Sequence, residues 1–163
     1  MRNTFDRFNG RHQDYQAARP SYAQEFLDWL GELYAPPERY TAADIGSGTG
    51  KLSAQLLAAG FRVCGVEPNP DMRGAAEALL GGDPRFSSSN GTDHDTGLPD
   101  RSVDMVAAAQ AFHWFDGPAF ARECRRILRP GGRAVLVWNV RGSAPMNQAL
   151  AQVFREHCPS FHG

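Results

Sequence analysis

Hydrophobic positions along this chain alternate between helical spacing and short continuous runs. Phe26, Leu27, Leu30 and Leu33 fall three and four apart. They predict a helix opened after Pro20 by a Ser21/Gln24 capping box and closed by Pro36-Pro37. Thr41 to Asp44 reads as a first strand. Helical spacing returns from Gly50 to Ala59, with Leu52, Leu56 and Leu57 inward and Gly60 as the stop signal. Phe61 to Glu67 is a valine-rich second strand. Asn69 caps the next helix, Pro70 opens it, and Gly81-Gly82 ends it. Arg85 to Ser88 is a weak third strand, and Ser89 to Arg101 a polar loop. Val103 to Ala109 is the fourth strand, followed by a loop from Gln110 to Gly117. A fourth crossover helix starts at Asp116 or Pro118 and carries Phe120, Cys124, Ile127 and Leu128 on one face. Arg129-Pro130-Gly131-Gly132 reads as a turn. Arg133 to Val140 is a fifth strand, apolar on both faces and suited to an interior place. Asn147 to His157 reads as a final helix.

Strands alternating with helices predict a parallel α/β sheet with right-handed crossovers. Ligands of such sheets bind beyond the carboxyl ends of the strands. The loops after strands one, two and four meet there. The first of them holds Asp44-Ile45-Gly46-Ser47-Gly48-Thr49-Gly50 between a strand and a helix. Glycines in alternation permit a sharp turn and a close approach of backbone to ligand, and a helix N-terminus supplies unpaired N–H groups. A tight turn without a ligand is the plainer alternative, but three glycines are costly in conformational entropy. A carboxylate at Asp44 would repel a pyrophosphate and suits a ligand with a cationic end. The Gly-x-Gly-x-Gly spacing also differs from the dinucleotide fingerprint.

Asp44 with Gly46, Gly48 and Gly50 resembles motif I of the class I S-adenosylmethionine-dependent methyltransferases. Glu67-Pro68-Asn69-Pro70-Asp71-Met72 resembles the acidic loop of that family, and Gly91-Thr92-Asp93-His94 its adenine loop. The run from Ala109 to Phe115 resembles the segment after strand four in its type 11 branch. Leu128-Arg129-Pro130-Gly131-Gly132 is a further family-like turn, to which no chemistry is assigned. The resemblance spans roughly Phe5 to Val140. It implies a Rossmann-like, doubly wound, mainly parallel sheet in the order 3-2-1-4-5, and S-adenosylmethionine as cofactor. The implied site places Asp44, Gly46, Ser47, Gly48, Thr49 and Gly50 at the amino-acid end of that cofactor. Glu67 falls to its ribose, with Pro68, Asn69 and Met72 beside it. Thr92, Asp93 and His94 surround adenine, although an ordinary Asx-rich turn is the alternative there. Gln110 and His113 face the methyl and the acceptor. His113 is either a general base or a packing residue of an aromatic lid. Phe8 to Tyr22 resembles a segment that folds over the cofactor, so Tyr15 or Arg19 would close on the methionine end; surface packing is the alternative for each.

The expected chain is one methyltransferase domain over 1–163. It comprises an N-terminal lid over 1–37, a cofactor-binding core over 38–140 and a C-terminal helix over 141–163. The family's last antiparallel strands have no counterpart, since about 20 residues cannot supply a helix and two strands. The domain therefore reads as truncated, and strand five as an apolar edge open to self-association. A net charge of −1 gives no electrostatic case for nucleic acid or an anionic membrane. Arg122, Arg125, Arg126 and Arg129 then read as a solvated helix face. No apolar run is long enough to span a bilayer. Cys64, Cys124 and Cys158 are scattered, which suits free thiols in a reducing cytoplasm. The five histidines show no metal-ligand spacing, and no nucleophile elbow is present. The reaction expected is transfer of a methyl group to an O, N or C nucleophile of a small molecule. A non-catalytic cofactor-binding module and a nicotinamide-dependent oxidoreductase stay as alternatives.

Overall fold

The structure is a computed structural model that describes residues 21–139. Tyr15, Arg19, the expected helix from Asn147 to His157 and Cys158 lie outside the described residues. The elements are α1 (Gln24–Leu33), β1 (Thr41–Ile45), α2 (Lys51–Ala58), β2 (Arg62–Val66), α3 (Pro70–Leu80), β3 (Phe86–Ser89), β4 (Val103–Ala109), α4 (Gly117–Ile127) and β5 (Leu128–Val137). Short 3₁₀ turns lie at Pro37–Arg39 and Phe112–Trp114. The five strands are parallel, in the order β3-β2-β1-β4-β5 expected from the resemblance.

The two-residue period of the strands sorts their side chains into two cores. Ala42, Val63, Met105 and Ala107 face Leu30 of α1 and Leu52, Leu56 and Leu57 of α2. Ala43, Ile45, Cys64, Val66, Val106 and Ala108 face Phe120, Cys124 and Ile127 of α4. Cys64 and Cys124 are buried free thiols. No helix among the described residues is long and apolar enough to cross a membrane.

Local signals set several boundaries as expected. Asn69 Oδ1 accepts the N–H groups of Asp71 and Met72, each at 3.0 Å, with Pro70 next in the first turn. At the end of α2, Gly60 N–H donates to Leu57 O at 3.0 Å and Phe61 N–H to Leu56 O at 3.1 Å, the paired bonds of a Schellman close.

Three expectations fail for tertiary reasons. The Ser21/Gln24 box does not form: Ala23 holds the cap position of α1 with no side-chain bond. The Gln55 amide instead donates to Tyr22 O and accepts from Tyr22 N–H, both at 3.1 Å, and holds this segment against α2. The turn at Arg129–Gly132 is absorbed into β5, which follows α4 directly. Val103 and Met105 pair with Leu128 and Arg133, so two residues of advance on β4 match five on β5. Among the described residues β5 pairs only with β4, and Leu136 and Trp138 are exposed. Finally, the arginines are not simply solvated. Arg129 Nη1 donates to Asp104 Oδ2 at 2.6 Å. Arg126 binds both oxygens of Glu123, at 2.7 and 2.8 Å, and Asp100 Oδ1 at 2.7 Å.

Glu123 is buried, and its Oε1 also accepts from Thr96 N–H at 2.9 Å and Thr96 Oγ1 at 2.6 Å. This staples the β3–β4 loop to α4. Arg126, helped by Thr96, pulls the Glu123 acid down to about 2. The depressed acid contributes stability that is complete above the ordinary value of 4.5 and is lost as pH falls towards 2. Glu123→Gln should therefore cost about 1–3 kcal/mol at pH 7. In urea unfolding, the gap to the parent should narrow at pH 3; an equal gap at both pH values would refute this account.

Candidate functional site

A cleft opens at the carboxyl ends of β1, β2 and β4, and the glycine turn forms its floor. Gly46 has φ +71°, and a Cβ built there would stand 2.7 Å from Ala111 Cβ. Gly50 has φ +83°, and a Cβ there would meet Leu80 Cδ1 at 2.9 Å. Both positions therefore favour glycine by conformation, and Gly46 by space as well, since the Leu80 tip at Gly50 can move aside and the Ala111 methyl cannot. Gly46 N–H and Ser47 N–H donate to Val66 O at 2.8 and 3.2 Å, tying the turn to the end of β2.

Asp44 and Glu67, expected as ligand-facing acids, have different positions. Asp44 is 1% exposed and lies beneath the turn, outside the cleft lining. Ser53 Oγ donates to its Oδ2 at 2.7 Å, and the Ser53 N–H adds a second bond. Burial pushes its acid up to about 6 against these bonds, with the nearby Glu67 adding to the rise. Glu67 does line the cleft. Its Oε2 accepts from Gly48 N–H and its Oε1 from Asn69 N–H, both at 2.9 Å. Burial raises this acid too, opposed by the two backbone bonds. Each oxygen spends one acceptor direction on backbone and keeps one for a ligand. Arg73 Nη1 steadies the loop from behind, donating to Glu67 O at 2.7 Å.

Of the other expected residues, Gly46, Gly48, Pro68, Asn69 and Met72 line the floor and near wall. Thr92, Asp93 and Gln110 line the far side. Ser47, Thr49 and Gly50 shape the turn without lining the cleft. His94 is exposed, with Nδ1 3.0 Å from Asp93 Oδ1. His113 also stands outside the lining, its ring centroid 4.8 Å from that of Trp114. Gln110 has φ +55°, a left-handed conformation that is costly for a residue with a side chain. Its N–H donates to Val137 O at 2.9 Å. Sequence reasoning named the segment after β4 but not Trp114 and Phe115 as its lining residues. The run of aromatics at Phe112, Trp114 and Phe115 directly after a strand was the available signal. Ser53, Arg73 and Thr96 carried no sequence signal.

The lining contains two carboxylates, Glu67 and Asp93, and no Lys or Arg among the described residues. It suits ligands with hydroxyls, amino groups or positive charge, and is poor ground for phosphate. No group of three or more His, Cys, Asp or Glu among the described residues could hold a metal ion.

Comparison with known proteins bears on the family and the fold. The profile of a family described as the methyltransferase domain matches residues 43–136. An uncharacterized methyltransferase of Mycobacterium tuberculosis is 42% identical over 127 residues, covering 78% of this chain and 49% of the relative. One of Schizosaccharomyces pombe is 31% identical over 145 residues, covering 88% and 57%. The chain thus spans about half the length of the curated relatives it matches. Among solved structures, a proposed type II methyltransferase from Anaeromyxobacter dehalogenans is similar with TM-score 0.67 and 35% identity, over 84% of this chain and 57% of its own. A SAM-dependent methyltransferase from Aquifex aeolicus shares the fold at TM-score 0.61 and 18% identity, over 81% and 78%.

The raised acid of Asp44 has a direct consequence for stability. The folded state holds this proton more tightly than the unfolded chain, whose value is 3.8. Its contribution is therefore complete below 3.8 and is lost as pH rises through about 6. Asp44→Asn, neutral throughout, should gain on the parent by up to about 3 kcal/mol between pH 4 and 7. Denaturant midpoints at the two pH values test this; a constant difference would refute it.

Proposed function

The chain belongs to the methyltransferase domain family, and on that premise we propose that it binds S-adenosylmethionine in this cleft and serves methyl transfer to an O, N or C nucleophile of a small molecule. The observation that carries the reading is the Glu67 carboxylate. Held by two backbone donors, it presents its remaining acceptor directions at the cleft. That is a fitting partner for the two hydroxyls of a ribose. The residues present fit the cofactor in its other parts as well. Buried negative charge at Asp44 and the absence of cations from the lining among the described residues suit an ammonium and a sulfonium. Thr92 and Asp93 offer an amino-bearing base both acceptor and donor groups.

The bound cofactor supplies an electrophilic methyl group on a sulfonium. The chain's own residues hold and orient. Asp44 acts on the amino-acid end through the turn rather than by contact, with Ser47, Thr49 and Gly50 shaping the cradle. Glu67 fixes the ribose, flanked by Pro68, Asn69 and Met72, while Thr92 and Asp93 border adenine and His94, outside the lining, reaches it only through Asp93. Gln110 faces the acceptor beside the apolar wall of Trp114 and Phe115, which excludes water. Alignment of the reactants is then the main source of rate. The position of His113 against Trp114 favours its lid role over that of a base. Tyr15 and Arg19 keep their proposed place over the methionine end.

The same reading takes self-association to run through the outer edge of β5, and the compartment to be a reducing cytoplasm. A nicotinamide oxidoreductase is disfavoured by the acidic lining, which opposes a pyrophosphate. A non-catalytic binding module would reveal itself by cofactor binding without methylated product.

Calorimetric titration with S-adenosylmethionine, S-adenosylhomocysteine and NAD tests the cofactor. Saturable heat with the first two alone is expected; binding of NAD, or none from folded protein, would overturn the reading. Glu67→Gln leaves one backbone N–H facing an amide donor and should weaken binding about 10- to 100-fold. Affinity for S-adenosylmethionine should also fall as pH drops below about 6, where Asp44 takes up its proton. Asp44→Asn should bind weakly and lose that dependence; an unchanged pH profile in this variant would remove Asp44 from the site.

A further inference from the structure

One hydrogen bond joins the loop after β3 to the aromatic turn after β4. Asp93 lines the cleft with its side chain only 11% exposed. Its Oδ2 accepts the backbone N–H of Asp116 at 3.1 Å, while Oδ1 faces His94 Nδ1. Asp116 is the cap residue of α4, and its own Oδ1 accepts from Ala119 N–H at 3.0 Å. Directly before it stand Trp114 and Phe115, the apolar wall of the cleft.

Both ends of this link are themselves anchored. On the Asp93 side, Thr92 N–H donates to Asp95 O at 2.7 Å, and Glu123 holds Thr96. On the aromatic side, Ala111 and Phe115 press against Gly46. The N–H groups of Trp114 and Phe115 bond to Ala111 O and Phe112 O at 2.9 and 3.0 Å, so the turn moves as a unit. The wall is thus held by packing, of Phe115 on the glycine turn and on Phe120 of α4, and its link to the adenine-side loop is the bond to Asp93.

We infer that Asp93 is a positioning residue: through the Asp116 N–H it sets the aromatic wall, so that a nucleoside seated against Thr92 and Asp93 fixes Trp114 and Phe115 before the acceptor enters. This rests on the cofactor reading above. Each Asp93 oxygen has one acceptor direction in use and one to spare. An added amino donor narrows the carboxylate's rotation and with it the range open to Asp116. The reaction would then bind cofactor first and acceptor second.

The test is hydrogen exchange at the Trp114 and Phe115 amides, with and without saturating S-adenosylhomocysteine, with affinity measured separately by calorimetry. In the parent chain the ligand should slow exchange at both by roughly tenfold. Asp116→Pro removes the linking donor and leaves Asp93 untouched; Asp116→Ala, which loses only the cap bond to Ala119 N–H and keeps the donor, is its control and should retain the slowing. Proline suits this site, where φ is −76° and the preceding Phe115 is extended. The variant should bind within about threefold of the parent yet lose the slowing at Trp114 and Phe115. Asp93→Ala should bind more weakly and, at saturation, also show none, whereas Asp93→Asn, which keeps an acceptor oxygen, should restore it. Slowing that persists in Asp116→Pro, or none in the saturated parent, would overturn the proposal. Absence of heat in the parent titration would instead bring down the cofactor reading, and this inference with it.

Discussion

The site depends on a carboxylate shared between two loops. Glu67 takes one N–H from the glycine turn after β1 and one from Asn69, the residue that caps α3 at the end of the loop after β2, each at 2.9 Å. Neither donor lies within a helix or strand, so without Glu67 both would lack this acceptor. The bonds also oppose the penalty of burying the charge. A single side chain thus sets the spacing between two strand ends and offers its remaining acceptor directions to a ligand. Structural glue and proposed binding group are the same atoms.

Asp44 shows the cost of this arrangement. A buried acid supported chiefly by Ser53 lowers stability near neutral pH. The same charge provides a negative field under a turn whose ligand is proposed to be cationic. Gln110 adds backbone strain at the opposite wall. Locally unfavourable choices gather at the cleft, while the distant close of α2 at Gly60 follows its local signal closely.

That contrast governs what could be read from the chain. Alternating apolar runs, Gly60 and the Asn69-Pro70 cap are local features, and the strands and helices they imply are present. The sheet order came with the family likeness. Cross-chain partners were hidden. Gln55 displaces the Ser21 cap, β4 draws Arg129–Gly132 into β5, and Glu123 with Asp100 recruits Arg126 from a face that reads as solvated. At the site, Glu67 was legible as the acid ending β2. The burial of Asp44 and the outward turn of His113 were not, because both depend on neighbours from other elements.

The contact between Gly46 and Ala111 reaches beyond this molecule. A methyl on the first would come within 2.7 Å of the methyl on the second. Two positions far apart in the chain thus share one allowance of volume. Enlarging either requires the other to shrink, and Ala111 has only one methyl to give. Gly46 is held to glycine by its φ of +71° as well, so viable descendants of this sequence keep it and keep nothing larger than a methyl at Ala111: the floor of the cleft sets the size of its wall.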